Sequence, residues 1–346
     1  MVMTHLSDPM ASPAVVSPSP HGQPIVEIAD LTIAFPMAGN RLTAVVRNVS
    51  FSIQPNEVLA LVGESGSGKT QTALAMLGLT RPPGQVVGGC IHVDGEEVIG
   101  ASESTLQRIR GGSLAMIFQS PRTSLNPLKP VGDQLSRVYR RHRGLDRQAA
   151  KQQSLAMLGH VGITAPERVA RSYPHHLSGG MAQRVMIGMM LACQPKLLIA
   201  DEPTTGLDVT IQAQIFALIR EIQADTRMSM LLITHDLGIV AENCDRVAVM
   251  QQGRLVEVAP AQTLFSQARH PYTLRLLGSI LRPDKPPRLV DLDASPVNET
   301  PIVHAGRRFR AISVDAWKDA GATRPEMLEL SPGHLVLCHP DLEGQR

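Results

Sequence analysis

The first third of the chain carries short apolar segments that predict β-strands. Apolar residues recur at strand-like spacing over residues 25–35 and 49–53, and the segment 57–62, which is continuously apolar after Glu57, is followed by a glycine. Such an uninterrupted run is typical of a strand that is buried on both faces of a sheet. Further on, an Asp94-Gly95 pair separates two strand-like pieces within residues 91–98, which predicts a hairpin.

The middle of the chain changes to a helical pattern and then alternates strands with helices. Residues from about 130 to 195 are rich in Leu, Ala, Gln, Met and Arg, and their pattern is mainly helical. Strands are predicted around this stretch at 114–118, 197–200, 229–234 and 246–250, and helices at about 209–224 and from Leu237. Because strands alternate with helices, we expect an α/β fold with a parallel, doubly wound sheet and an inserted helical subdomain.

These patterns divide the chain into three regions. Residues 1–23 are rich in Pro, Ser and Ala without periodicity, and we expect them to form a disordered tail. Residues 24–283 form the main predicted domain, with the helical subdomain at about 120–195. A proline-punctuated run at 282–288 then breaks the pattern, and residues 284–346 form a weakly patterned extension.

Composition excludes several classes of protein. The chain has 346 residues, of which 43% are hydrophobic and 18% charged; this permits a large core and excludes a fully disordered chain. The net charge is only +2, and the aromatic residues are six Phe, three Tyr and one Trp. So small a charge and so few stacking side chains predict that nucleic acid is not a partner.

The sequence also favours a location in the reducing cytosol. No apolar run approaches the ~20 residues that cross a bilayer, and no signal peptide is recognised. The four cysteines are scattered with no Cys-x-x-Cys pair, which favours free thiols over a disulfide framework or a zinc site. We therefore expect a soluble intracellular protein.

A glycine-rich loop follows the apolar strand at 57–62. Gly63-Glu64-Ser65-Gly66-Ser67-Gly68-Lys69-Thr70 matches the pattern G-x-x-x-x-G-K-[ST], and a helical segment follows it. Glycines let successive backbone N–H groups point at phosphate oxygens, and the next helix adds its positive end. Lys69 is predicted to reach the β- and γ-phosphates and the Thr70 hydroxyl to bind Mg²⁺.

Polar side chains stand at the ends of three other predicted strands. Asp201 and Glu202 end an apolar strand, His235 ends another, and Gln119 follows a third. Strand ends of an open α/β sheet face the ligand crevice. We therefore predict that Asp201 and Gln119 bind Mg²⁺, that Glu202 accepts a proton from attacking water, and that His235 contacts the γ-phosphate. Taken alone, His235 and Gln119 would be ordinary structural and loop residues.

A second glycine pair precedes a helix that starts near Met181. Leu177-Ser178-Gly179-Gly180 places a serine and two glycines at a helix N-terminus, which again favours anion binding. Two such sites with one set of Mg²⁺ ligands make sense if Ser178 contacts a γ-phosphate bound by another subunit. The alternative is an ordinary serine N-cap.

These motifs together resemble the ATP-binding subunits of ABC transporters, over about residues 25 to 283. The motifs GESGSGKT, LSGGMAQR and LLIADEP occur in that family's order with Gln119, Asp208 and His235. The resemblance implies an ABC-type P-loop ATPase fold with an antiparallel β subdomain, and ATP and Mg²⁺ as ligands. It also implies that Phe35 stacks on adenine, that residues Gly63 to Gln71 bind the phosphates, and that Asp208 lies in a loop linking two sites across a dimer. By the same resemblance, Ser178, Gly179, Gly180 and Gln183 bind the nucleotide of the partner.

Met181 and the run VMIGMM look like the first of the two paired ATPases of the oligopeptide/dipeptide/nickel importer family, and four longer segments also resemble that family. They are residues 118–127, 202–215, 235–250 and the His270-Pro-Tyr-Thr273 motif. The resemblance implies a second ABC ATPase subunit, two transmembrane permease subunits and an extracytoplasmic solute-binding protein as partners. It implies peripheral attachment to the cytoplasmic face of the bacterial inner membrane, where ATP hydrolysis powers import of a peptide-like or related solute.

The extension departs from the family pattern. Relatives often carry several cysteines there, associated with an iron–sulfur cluster, whereas this extension has Cys338 alone. Because such a cluster normally requires four ligands, we expect none. Ala182, Ser120 and Arg122 also differ from many relatives, and none of them removes a predicted phosphate or metal ligand.

Two other functions stay open at this point. One is a soluble ABC ATPase in DNA repair, chromosome maintenance or translation, although the chain lacks the long coiled coil, zinc module or second nucleotide domain usual there. The other is an ATPase accessory of a phosphonate-cleaving complex, which the His270-Pro-Tyr-Thr273 motif disfavours. The sequence does not encode the identity of the transported solute, because specificity resides in the partners.

Overall fold

The computed structural model describes residues 23–37, 41–278, 301–312, 314 and 325–340. The predicted disordered tail, apart from residue 23, and the proline-punctuated run at 282–288 lie outside the described residues.

The described strands run in chain order as follows: β1 (Val26–Met37), β2 (Arg41–Ile53), β3 (Val58–Val62), β4 (Gln85–Val93), β5 (Glu96–Glu97), β6 (Leu114–Ile117), β7 (Leu197–Asp201), β8 (Ser229–Ile233), β9 (Arg246–Gln251), β10 (Arg254–Pro260), β11 (Ile302–His304), β12 (Arg307–Arg310), β13 (Glu326–Ser331) and β14 (His334–Pro340).

The described α-helices are α1 (Lys69–Met76), α2 (Glu103–Arg108), α3 (Pro121–Ser124), α4 (Val131–Arg143), α5 (Arg147–His160), α6 (Pro166–Arg171), α7 (Gly179–Leu191), α8 (Val209–Thr226), α9 (Leu237–Asn243), α10 (Ala261–Gln267) and α11 (Pro271–Gly278). A π-helical turn at Ile109–Ser113 and a 3₁₀ turn at Pro174–His176 complete the helical elements of the described ranges.

The larger sheet is parallel at its centre. Its strand order is β11-β12-β14-β10-β9-β3-β8-β7-β6, and β13 pairs with β14. Strands β9, β3, β8, β7 and β6 are mutually parallel. Every residue of β3, β7 and β8 is buried, because one face packs against the smaller sheet and α1 and the other against helices. The predicted parallel, doubly wound sheet is therefore confirmed.

A smaller antiparallel sheet carries the N-terminal strands in the order β2-β1-β4-β5. The predicted hairpin is present, since β4 pairs with β5 in the register His92 with Glu97. Asp94 and Gly95, between these strands, have φ of 53° and 78°. Positive φ at both central residues is what a tight two-residue hairpin turn requires, which explains the choice of Asp-Gly.

The inserted helices lie between β6 and β7 in the chain, as predicted. Helices α4 to α7 share a hydrophobic core that includes Leu135, Leu158, Val169 and Val185. The buried Gln134 fixes the preceding loop, because its amide accepts from Asn126 N and donates to the carbonyl oxygens of Asn126 and Lys129.

The extension adds strands to the larger sheet. Strand β14 pairs antiparallel with β10, with Glu257 opposite Val336 and Val258 opposite Leu335. Strands β12 and β13 then pair with β14. The weak pattern in the sequence reflects strands of only three or four residues at β11 and β12. The boundary at residue 283 stays a prediction.

In the described part of the chain, no helix has both the length and the apolar character needed to cross a bilayer. The four cysteines are free thiols, and Cys193 and Cys338 are buried.

Candidate active site

The predicted site residues meet at one edge of the parallel sheet. The glycine-rich loop follows β3, Glu202 follows β7 with Asp201 as its last residue, His235 follows β8, and Gln119 follows β6. Since these four strands are parallel, their carboxyl ends lie along the same edge. The hydrogen bonds described below join the four segments directly.

The glycine-rich loop folds closely against the start of β2 and the end of β9. A Cβ added to Gly63 would lie 2.1 Å from the carbonyl oxygen of Met250, so only glycine fits there. Gly68 has φ of 103°, and a Cβ on it would lie 2.9 Å from the carbonyl oxygen of Val45. The Ser67 carbonyl accepts a hydrogen bond from Gly253 N at 3.0 Å. The turn between β9 and β10 therefore supports the loop from outside.

Lys69 is buried at the centre of this loop. Its Nζ donates to the carbonyl oxygens of Gly63 and Glu64, both at 2.8 Å, and lies 3.4 Å from Ser67 Oγ. Burial lowers the pKa of Lys69, while the carboxylates of Glu202, Asp201 and Glu64 counteract this shift. The ammonium group is thus held by the loop's own backbone at the place predicted for phosphate binding.

Thr70 and Asp201 are in direct contact. Thr70 Oγ1 donates to Asp201 Oδ2 at 2.9 Å, which joins the first turn of α1 to the end of β7. Burial is the main cause of a raised pKa at Asp201, and the hydrogen bond from Thr70 opposes it. A hydroxyl beside a carboxylate fits Mg²⁺ in a nucleotide site, where the ion takes one or two protein oxygens together with phosphates and water. No cluster of three or more His, Cys, Asp or Glu suited to a metal occurs among the described residues.

Glu202 is the centre of a second polar group. Its Oε2 accepts hydrogen bonds from Gln119 Nε2 at 2.7 Å and from Thr205 Oγ1 at 2.9 Å. His235 Nδ1 lies 3.6 Å from Glu202 Oε1, and the imidazole is 70% exposed. Glu202 has φ of 47°, and its N–H donates to the carbonyl oxygen of Ile233 on β8. This left-handed turn directs the carboxylate toward the residues that follow β6 and β8.

Thr205 escaped the sequence reasoning. It lies three residues after Glu202, in the turn that leads to α8, and only the fold reveals that its hydroxyl reaches the carboxylate. The only hint in the sequence was a threonine three residues after the acidic end of a predicted strand.

Gln71 directly follows the glycine-rich loop, and Phe35 lies on β1 of the smaller sheet. Phe35 is half-buried on β1, opposite Thr43 of β2. Its ring packs against Gly84, where an added Cβ would lie 2.5 Å from Phe35 Cζ. Gln71 is half-buried in the first turn of α1.

The second glycine pair begins α7. Ser178 is exposed and its Oγ accepts from Met181 N at 3.3 Å, so the serine is an N-cap. Added Cβ atoms on Gly179 and Gly180 would meet Leu207 and Ile211, which places these glycines against the start of α8. Asp208 caps α8 by accepting from Ile211 N at 2.9 Å.

Gln183 differs from the other residues of this motif. It is 1% exposed, and its Nε2 is buried with no hydrogen-bond partner. The contact of Gln183 with a partner's nucleotide stays a prediction. About one turn further along α7, Met186 is also buried and belongs to the hydrophobic core of the helical subdomain.

Two family models match the chain. The model described as ABC transporter matches residues 46–205, and the model described as the oligopeptide/dipeptide transporter C-terminal region matches residues 256–311. The second match covers β10, α10, α11, β11 and β12, which lie on both sides of residue 283.

Curated relatives align over most of the chain. The oligopeptide transport ATP-binding protein OppD of Bacillus subtilis (strain 168) is 43% identical over 92% of this chain and 90% of its own length. The dipeptide transport ATP-binding protein DppD of the same organism is 45% identical over 80% of this chain and 82% of its own. OppD of Salmonella typhimurium is 39% identical over 96% of this chain and 98% of its own.

Solved structures share the fold. A dimeric ATP-binding cassette in a post-hydrolysis state, bound to ADP and Pi, superposes with a TM-score of 0.61 at 24% identity, covering 68% of this chain and 98% of that one. CbiO1 of Clostridium perfringens, part of an ABC transporter complex, gives a TM-score of 0.60 at 27% identity, covering 71% of this chain and 92% of that one.

Proposed function

Because this chain belongs to the ATP-binding subunits of oligopeptide and dipeptide ABC transporters, we propose that it binds and hydrolyses ATP to power import of a peptide-like or related small solute through a membrane permease. ATP hydrolysis coupled to transport is the activity of this family. The match of the C-terminal region favours import over the soluble, non-transport alternatives.

The observation that carries this proposal is the hydrogen-bonded cluster at the sheet edge. Thr70 contacts Asp201, and Gln119 contacts Glu202 with His235 close by. A nucleotide bound on the glycine-rich loop would place its terminal phosphate beside this cluster, since the loop and the cluster occupy neighbouring strand ends.

The glycine-rich loop and the residues around it would bind ATP. Backbone N–H groups of the loop and the N-terminus of α1 would receive the phosphates, and Lys69 would exchange its two carbonyl partners for phosphate oxygens. Thr70, Asp201 and Gln119 would hold Mg²⁺, which neutralises charge that develops on the phosphates. Phe35 is the proposed stacking partner of the adenine ring.

Glu202 is the proposed catalytic residue for hydrolysis. Its carboxylate would accept the proton of the attacking water, while Gln119 and Thr205 fix the orientation of the carboxylate through their hydrogen bonds. His235, which lies near Glu202 Oε1 and is exposed, would contact the γ-phosphate.

The partners are a further part of the proposal. The exposed Ser178, with Gly179 and Gly180, would contact the nucleotide bound by a second ABC ATPase subunit, and Asp208 would lie between the two sites. Two transmembrane permease subunits and an extracytoplasmic binding protein complete the proposed assembly. The chain would then lie at the cytoplasmic face of the bacterial inner membrane.

Replacement of Glu202 by Gln tests the catalytic assignment. The amide keeps the shape of the carboxylate but is no base, so we expect ATP hydrolysis by the assembled complex to fall at least ~10²-fold while the Kd for ATP is unchanged. Glu221→Gln on the exposed face of α8 is the matched control and keeps full turnover. Wild-type turnover in Glu202→Gln would contradict the assignment.

Replacement of Lys69 by Ala tests the binding assignment. Loss of a charge-assisted contact to phosphate is expected to raise the Kd for a fluorescent ATP analogue at least about tenfold. Lys151→Ala, at an exposed position of α5, is the control. Equal affinity of Lys69→Ala and the control would sink the proposed phosphate site.

A pull-down in detergent tests the transport setting. We expect membrane permease subunits to co-purify with the chain. A soluble assembly without any membrane subunit would instead support the non-transport alternatives.

A further inference from the structure

A tyrosine that is distant in sequence contacts the glycine-rich loop. Tyr272 lies in the first turn of α11 and is 2% exposed. Its hydroxyl oxygen accepts a hydrogen bond from the backbone N–H of Glu64 at 2.9 Å, across 208 positions of sequence. The ring packs in the hydrophobic cluster that contains Val62 of β3 and Val249 of β9. The tyrosine ring therefore packs against the strand that ends in the loop, β3, and against its neighbour β9.

This contact holds the residue whose carbonyl oxygen binds Lys69. The carbonyl oxygen of Glu64 accepts from Lys69 Nζ at 2.8 Å and from Ser67 N at 3.2 Å. Because the N–H of the same residue is bound by Tyr272, the stretch around Glu64 is anchored from outside the loop as well as from within it. A loop that is ordered before the ligand arrives loses less conformational freedom on binding, which raises affinity.

The start of α11 is in turn fastened to the extension. The buried Glu257 of β10 accepts from the backbone N–H groups of Arg269 and His270 at 2.8 and 3.0 Å. The ring of His334, on β14, lies 2.8 Å from the same carboxylate. Glu257 therefore joins the turn before Tyr272 to a strand of the extension.

The His270 ring completes this connection. Its Nδ1 accepts from Tyr272 N at 3.2 Å, so Nε2 carries the proton and donates to the carbonyl oxygen of Ile312 at 3.1 Å. Ile312 lies in the extension, and the same imidazole thus contacts both the tyrosine and the extension.

We propose that Tyr272 is a positioning residue of the nucleotide-binding loop, and that the C-terminal extension, through Glu257 and His270, sets the place of that tyrosine and thereby the affinity of the chain for ATP. The inference rests on the proposed ATP site. It gives the extension a part in nucleotide binding in addition to whatever surface it offers to other subunits.

Tyr272→Phe removes the hydroxyl alone and keeps the buried ring. Loss of one neutral hydrogen bond predicts a rise in the Kd for a fluorescent ATP analogue, with Mg²⁺, of about three- to tenfold. The KM for ATP of the assembled complex rises by the same factor, and kcat stays within about twofold, because no group that contacts the reacting atoms has changed. Tyr139→Phe, at a buried tyrosine of the helical subdomain, is the control.

Three results would separate the explanations. A Kd for Tyr272→Phe within twofold of the wild-type value, or an equal rise in Tyr139→Phe, overturns the inference. Failure of the wild-type chain to bind the analogue overturns the proposed function instead. Hydrogen exchange at the Glu64 amide gives an independent readout: it accelerates in Tyr272→Phe if the contact protects that N–H, and unchanged exchange counts against the contact.

The role of the extension is tested by a double-mutant cycle. His334→Gln loosens the contact with Glu257 and is expected to raise the Kd for ATP in the wild-type background but much less in the Tyr272→Phe background. Equal effects in both backgrounds would overturn the connection through Tyr272. If His334→Gln does not fold, exchange at the Tyr272 and Glu64 amides of the wild-type chain decides: the two amides open together if the segments are connected and independently if not.

Discussion

Gly63 is the residue at which the loop makes its closest approach to the sheet. The 2.1 Å between an added Cβ and the carbonyl oxygen of Met250 leaves no room for any side chain, and the obstacle is backbone of a buried strand. Gly66, in the same loop, has φ of 83° but no atom within 4 Å of an added Cβ. The two glycines are therefore needed for different reasons, one for space and one for backbone conformation.

This difference predicts unequal effects of one substitution. Gly63→Ala should lower the free energy of unfolding by about 3 kcal/mol or more, because β9 must shift to admit the methyl group. Gly66→Ala should cost ~1–2 kcal/mol, the strain of a left-handed alanine. Urea denaturation without nucleotide measures both values. Equal losses in the two variants would contradict the steric explanation.

The sequence could predict those site residues whose type and spacing belong to a motif. Lys69 and Thr70 follow from the glycine pattern, and Asp201 and Glu202 from a strand that ends in two carboxylates; the structure places all four at one edge. Thr205 could not be predicted in this way, since its contact depends on how the turn after β7 closes. Gln183 was placed by resemblance alone; its side chain is 1% exposed in the single chain, and its contact with a partner's nucleotide stays a prediction.

At the scale of elements, the residue immediately before α11 is a histidine, His270, whose pKa is far below its usual value. His270 is fully buried, and this burial lowers its pKa to about 4, although the carboxylate of Glu257 acts in the opposite direction. The ring is therefore neutral in the folded chain, in agreement with its contacts to Tyr272 N and Ile312 O.

This state predicts a pH dependence of stability. An unfolded histidine has a pKa near 6.5, so between pH 6.5 and about 4 the unfolded chain binds a proton that folded His270 does not. The free energy of unfolding should fall as the pH is lowered through this window, by up to ~1.4 kcal/mol per pH unit from this group. Stability above pH 6.5 is unaffected by it.

The measurement compares variants over the same window. Denaturation of His270→Gln between pH 7 and 4.5 should give a shallower decline than the wild-type chain, while His160→Gln, at the exposed end of α5, should follow the wild type. Parallel curves for the wild type and His270→Gln would show that this histidine titrates normally.

Element prediction succeeded where a strand is buried on both faces and failed where strands are short. The apolar runs of β3, β7 and β8 predict their positions to within about one residue. Strands β11 and β12 have three and four residues, of which only Phe309 is buried, so no periodicity can develop. Their pairing is decided by β14, which is distant in sequence.

At the scale of the whole molecule, the loop at Gly63–Thr70 and the start of α7 are the two anion sites that we propose for one chain. The described contacts of Ser178 and Asp208 are caps of their own helices and leave Ser178 exposed. This arrangement is what a subunit needs if it offers one site to its own nucleotide and the other to that of a partner.

Ser178→Arg tests this division. We expect the Kd of the chain for ATP to stay unchanged and the ATP hydrolysis of the assembled complex to fall at least ~10²-fold, because the bulky cation obstructs the partner's nucleotide. Ser102→Arg is the matched control, since Ser102 also caps a helix, α2, and is exposed. A complex with Ser178→Arg that hydrolyses ATP at the wild-type rate would exclude the composite site.

The pairing of β14 with β10 has a consequence for anyone who shortens this chain. Strand β10 pairs with β9 on one side and with β14 on the other, so β10 is not an edge strand of the larger sheet. Trimming the polypeptide after α11 would bare a row of unsatisfied peptide groups next to the apolar Val256 and Val258, a template for self-association. A shortened version is thus expected to precipitate, and its loss of activity would say nothing about catalysis.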